Sequence, residues 1–174
     1  MHTKLFKVFI NLLIFTMCIF LTGCHNSPVT NSTSNINLSE TDLVAGYLSA
    51  IDLVFNTSPE MNQDIKYLAI DTKALTNLNQ EDCIKLLEEL KTYHFEIIDA
   101  SFEDLQNQGY INDAVFENGL FLKIEDTPFS NNQIQIMPSK WHSTTYAAGL
   151  SKVILTLNDE QNWNISDVGI PWKQ

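Results

Sequence analysis

The chain contains no arginine. Its ten cationic side chains are all lysine and stand against 21 carboxylates, a formal charge of −11. Phosphate backbones are gripped by clustered lysine and arginine, so nucleic acid is excluded as a partner. Anionic lipid headgroups repel such a surface as well. Cysteine is equally sparse, at three residues, Cys18, Cys24 and Cys83. The first two belong to the N-terminal apolar segment, which leaves Cys83 without a partner for an intramolecular disulfide. Also absent from the body of the chain are a G-x-S-x-G elbow and an S-x-x-K element, two serine-nucleophile motifs with defined mechanics.

What is present begins at the N-terminus. Met1 to Lys7 carries Lys4 and Lys7 and no acid, and Val8 to Phe20 is apolar apart from Asn11 and Thr16. These are the n-region and h-region of a secretory signal. The apolar run of 13 residues is too short for a membrane span, which needs roughly 20. It closes with Leu21-Thr22-Gly23-Cys24, which resembles a bacterial lipoprotein lipobox. The resemblance implies cleavage between Gly23 and Cys24 and a diacylglyceryl group on the Cys24 thiol. Two acyl chains anchor stably where one binds marginally. Losing Lys4 and Lys7 takes the charge from −11 to −13, so the lipid is the expected membrane contact. The domains expected are a signal peptide at 1–23, lipidated Cys24 with a tether to residue 38, and a single α+β domain at 39–174.

His25 to Leu38 is rich in Asn, Ser and Thr; as a coil it spans roughly 20 Å. Ser39 is the expected cap of a helix whose apolar stripe runs through Leu43, Tyr47, Ala50 and Val54 and stops before Pro59. Ile65 to Ile70 reads as a strand. Asn79 caps a second helix with Cys83, Leu86, Leu87, Leu90 and Tyr93 at helical spacing. Phe95 to Ile98 is a short strand, and Ser101 over Asp104 caps a short helix stopped at Gly109. From Val115 the period becomes two. Asn118-Gly119 is a hairpin signal, Leu120 to Glu125 and Gln133 to Ile136 alternate about a turn at Ser130 to Asn132, and Pro138 predicts a bulge or an edge. Ser151 to Leu157 and Trp163 to Val168 complete a run of antiparallel pairs. Early helices and a late meander predict helices packed on one face of a curved antiparallel sheet.

The segment Ser139-Lys140-Trp141-His142-Ser143, with the small-residue loop and strand after it, Trp163 and Trp172, and the earlier Asp99 to Leu105, resembles a group of small secreted or lipid-anchored proteins of Gram-positive bacteria. Members of that functionally uncharacterised group often carry arginine in place of His142 and a glycine-rich loop in place of Thr144 to Gly149. The likeness implies fold and location and supplies no catalytic residues. A fainter likeness, to nuclear-transport-factor-2-like cones, implies N-terminal helices over a curved sheet.

Chemistry is thin. Cys83 and His94 lie eleven residues apart, about 16 Å along a helix, too far for a dyad. Ser101 and Asp99 are explained by capping, and His94 by a helix C-terminus. Asn158, Glu160, Asn162 and Asn164 alternate like a calcium loop, but Trp163 replaces the glycine and Gly169 the final glutamate. No metal, cofactor or catalytic set is expected. The candidate binding residues are Lys140, Trp141, His142, Ser143 and Tyr146, an aromatic surface of Trp141 and Tyr146, with Trp163 or Trp172 as a further candidate, and two cationic flanks for an anionic, sugar-like or peptide ligand. The expectation is a non-enzymatic binding module held at the extracytoplasmic face of the cell membrane, its partner an envelope protein such as a transporter or a cell-wall assembly. The alternative is a cell-wall hydrolase with acidic residues in a sheet-lined pocket.

Replacing Cys24 by alanine is expected to move the protein from the membrane fraction to the medium and to abolish labelling by an alkynyl fatty acid. Labelling that survives the substitution contradicts the anchor.

Overall fold

The computed structural model describes residues 42–174. The signal segment, Cys24, the tether and the expected Ser39 cap lie outside the described residues. Helix α1, Leu43–Asn56, is capped instead by Asp42, whose carboxylate accepts from the Ala45 amide at 3.3 Å. A cap must reach the unpaired amides of the first turn, and Asp42 is the residue beside them. The Lys85 ammonium bonded to it holds its carboxyl below the usual range. Past Asn56 the chain makes a 3-10 turn, Pro59–Asn62.

Strand β1, Tyr67–Ile70, leads into α2, Gln80–Leu90, which Asn79 and Asp82 close with a reciprocal capping box. Strand β2, Glu96–Asp99, then precedes α3, Phe102–Asn107, capped by Ser101 and Asp104 in the same way. Seven further β-strands and one more at the C-terminus follow. They are β3 (Ile111–Asn112), β4 (Val115–Phe116), β5 (Gly119–Asp126), β6 (Gln133–Ser143), β7 (Tyr146–Leu150), β8 (Val153–Leu157), β9 (Trp163–Val168) and β10 (Pro171–Lys173).

The sheet is mixed, which corrects the wholly antiparallel expectation. Its main path runs β10-β7-β6-β5-β1-β2, with β1 parallel to both β2 and β5. Helix α2 is the crossover that parallel strands need, returning the chain to the edge at which β1 began. The result is an α+β domain in which helices pack on a curled sheet, a half-barrel.

Strand β6 is its centre. It pairs with β5 along one side, and along the other with β8 from Gln133 to Ile136 and then with β7 from Ser139 onward. Pro138 therefore sits in a central strand and not at an edge. The carbonyl of Asn132 accepts from the Leu157 amide, so by alternation the nitrogen of Pro138 faces the side of β8 and β7. It falls in the seam between them, where no ladder partner is lost. The register shift comes later, between Trp141 and Ser143.

The Asn118-Gly119 hairpin is corrected too. Gly119 opens β5, whose ladder partners are β1 and β6. The described two-residue turns are Asp113-Ala114, joining β3 to β4, and Asn131-Asn132, all four residues at positive φ, with Thr144-Thr145 joining β6 to β7. Gly119 serves close packing, because a Cβ there would lie 2.3 Å from the Phe116 ring.

Both faces of the sheet carry a core. Leu68, Leu120, Leu122, Ile134, Ile136 and Ala148 meet α1 and α2 on one face. Ala69, Phe121, Leu105, Ile111 and Phe116 form a second cluster on the other, beneath α3 and the β3-β4 hairpin. That cover extends over part of the second face and leaves the surface of β5, β6, β7 and β10 open.

Gly119→Ala forces the Phe116 ring out of its seat and is expected to destabilise the domain by about 1–3 kcal/mol, read as a lowered urea midpoint. An unchanged midpoint contradicts the packing described.

Candidate functional site

The open surface is built from three registered rows. Phe121, Trp141, Ala147 and Gln174 form the first, Lys123, Ser139, Gly149 and Trp172 the second. Glu125 lies opposite Met137 in the third, continued by Ser151, which bonds Ile170 through both its amide and its hydroxyl. Large side chains stand at the margins and small ones, Ser139, Gly149, Ala147 and Ser151, run through the middle, so the face is hollowed. The hollow is a trough of about 550 Å³.

Its walls are aromatic. Phe102, at the first turn of α3, meets Trp141 edge-on at 4.8 Å and Phe121 at 5.8 Å. Trp172 lies over Gly149, where a Cβ would come within 2.6 Å of the indole. The glycine lets the indole approach β7 closely, and Trp172 stays 41% exposed. An adjoining hollow of about 390 Å³ shares Phe102, Phe121, Lys123 and Glu125 and continues toward Asp71 and Asp126.

The residues proposed from sequence are dispersed by the same alternation. Trp141 lines the trough. Lys140, next to it, points through the opposite face and is 0% exposed. Its ammonium donates to the carbonyls of Phe55 and Ser58, each at 3.0 Å, and to Asn62 Oδ1 at 2.7 Å. Three donors meet three acceptors, one a carbonyl of the last turn of α1 and two from the 3-10 turn that follows it. Burial pulls this amine down from 10.5 to about 8, against the opposing pull of Glu60. Lys140 is therefore a brace inside the domain and corrects its expected place on the binding surface.

His142 Nδ1 lies 3.0 Å from the Gly119 carbonyl, and its ring meets Tyr146 at 5.9 Å. Tyr146 packs at the helix-side core, with Lys173 over its ring, and Ser143 is buried at the strand end. The five thus form no common surface. Phe102, Phe121, Ser139 and Trp172 complete the trough; the signals for them were the alternation of β5, β6 and β10 and the cap that fixes the start of α3.

Other candidates serve local structure. Cys83 faces the Thr72 carbonyl, and burial pushes its thiol up. Asp99 accepts from the amide and hydroxyl of Thr72. Asn158 accepts from the amides of Glu160 and Asn162 in the turn before β9, and Trp163 packs against Phe129.

The carboxylates bordering the trough are engaged. Glu125 pairs with Lys123 at 2.5 Å, and Asp71 accepts from the Lys73 amide. Asp126 takes hydrogen bonds from Tyr47, the Thr76 amide and Asn77. Burial and this carboxylate push the Tyr47 phenol far up. The chain matches no protein-family model, no curated protein and no solved structure.

The Lys140 brace has a signed pH dependence. Between about 8 and 10.5 the unfolded chain holds a proton that the folded amine has released, so stability rises with pH through that window. Urea midpoints of wild type and Lys140→Met, taken across it, are expected to show the wild type gaining on the variant. A difference that stays flat or shrinks contradicts the buried amine. At neutral pH the variant leaves Asn62 Oδ1 without its donor, while the Phe55 and Ser58 carbonyls keep Asn62 Nδ2 and the Met61 amide, and it is expected to be less stable by about 1–3 kcal/mol.

Proposed function

We propose that this chain is a non-enzymatic binding module, tethered through lipid on Cys24 to the outer face of the cell membrane, and that the aromatic trough is its recognition surface. One observation carries the reading: part of the second sheet face is left without cover while Trp141 and Trp172 stand at its margins. Binding sites are mostly apolar, largely pre-formed and marked by a few placed polar groups. Here the preformation is visible, since Phe102 buttresses Trp141 and Gly149 seats Trp172. The Leu21 to Cys24 segment supports the location, and a short tether raises the effective concentration of the trough near partners in the envelope.

The hydrolase alternative needs two carboxyl groups free to exchange protons across a substrate. Glu125 is paired with Lys123, Asp71 caps the Lys73 amide, and Asp126 holds Tyr47 and Asn77, so each carboxylate has a structural partner. This weighs toward binding.

Crosslinking in the native envelope tests the proposal. A specific neighbour is expected with the wild type, to be lost with Cys24→Ala, and to be lost with a membrane-retained Trp172→Ala. A neighbour captured equally by Trp172→Ala would place recognition elsewhere on the domain.

A further inference from the structure

We infer that the trough takes an uncharged, hydroxyl-rich chain, a segment of neutral oligosaccharide; the inference rests on the trough being the recognition surface. Charge is the first argument. The charged side chains lining it, Lys123 and Glu125, neutralise each other at 2.5 Å. A charged ligand finds no unspent counter-charge, and an anion also meets the negative field of a chain at −11.

The second argument separates a sugar from a peptide. An extended peptide docks by lending its amides to a sheet edge. The floor here is the face of a sheet, whose own amides and carbonyls are spent sideways in the β5-β6-β7-β10 ladders. A peptide lying on it gains no strand ladder from the floor. Sugar hydroxyls need only side chains, each donating and accepting. The rows supply both roles: the Lys123 ammonium donates, the Glu125 carboxylate accepts, and the Ser139 hydroxyl, which donates to the Lys123 carbonyl at 3.4 Å, accepts. The Lys123-Glu125 pair is a donor beside an acceptor, the complement of two adjacent hydroxyls.

The third argument is shape. Trp172 packs close on Gly149 and stays 41% exposed, and Trp141 stands half-buried one row away. The C–H face of a pyranose covers an indole face of this kind. The trough runs on into the adjoining hollow, which suits a linear chain of several rings over a single compact molecule. A bare hydrocarbon would leave the hydroxyl, ammonium and carboxylate without new partners.

The test uses the full chain in phosphatidylcholine nanodiscs, with chitotetraose, cellotetraose and maltotetraose as probes beside 1-hexanol and an acetylated Ala-Ser-Ala-Ser amide. Tryptophan emission and calorimetry are the readouts. At least one tetrasaccharide is expected to bind saturably below about 10 mM, and Trp172→Ala to weaken it about tenfold, the worth of one stacked ring. Lys123→Ala, at an exposed position, is expected to weaken it without unfolding the domain, and Trp163→Phe to leave it unchanged. Saturable binding by hexanol or the peptide alone, lost in Trp172→Ala, would overturn the sugar and keep the trough. Binding by none of the probes would overturn the sugar, and the crosslinking outcome then decides separately whether the trough recognises anything. Sugar binding that survives both substitutions would overturn the site.

Discussion

The period of two along β6 is the constraint on which the rest of the domain depends. Successive side chains of a strand point to opposite faces, and β6 is central, with a core on each side of it. Ile134, Ile136 and Lys140 face the helices, while Met137, Ser139 and Trp141 face the trough. A slip of one residue would exchange Lys140 with Trp141, leaving an ammonium under Phe102 and an indole against the end of α1. The three acceptors from Phe55, Ser58 and Asn62 oppose that slip, because a buried ammonium without partners is costly. The charge thus serves register as well as cohesion.

The same brace reaches the margin of the trough. The turn that receives Lys140 also carries Glu60, which pairs with Lys173 of β10. Lys173 adjoins Trp172, so the end of α1, the centre of β6 and the aromatic wall are joined by a short series of contacts. Strand β10 is three residues long and would be a weak edge alone. Pairing to β7, the Glu60-Lys173 contact and the seat at Gly149 hold it together. The Glu60-Lys173 pair is half-exposed and adds little energy by itself; it acts by fixing where the strand lies.

Local signals were legible in the sequence, and distant ones were not. The caps at Asn79 and Ser101, the stripe of α1 and the alternation of β5 and β6 depend on residues within a few positions, and each stands where expected. Strand direction is invisible to alternation, so the parallel β2-β1-β5 arrangement was missed. Asn118-Gly119 carries a turn signature, yet Gly119 answers to the Phe116 ring and to β1. Pro138 signals an edge unless the seam between β8 and β7 is known. Within the site, Trp141 was found from sequence because it is large and apolar amid polar neighbours. Lys140 was misplaced because its acceptors arrive from residues 78 to 85 positions away. Phe102 and Trp172 join Trp141 only through the sheet.

Hydroxyl-radical footprinting on intact cells, against the purified chain, tests most directly that this face is where the protein meets its ligand. Met137, Trp141 and Trp172 line the trough, while Ile84 on α2, 56% exposed, reports the opposite side. The expected result is lower oxidation of the three trough residues in the envelope with Ile84 unchanged. Equal oxidation of the trough in both settings, or protection confined to Ile84, would contradict it.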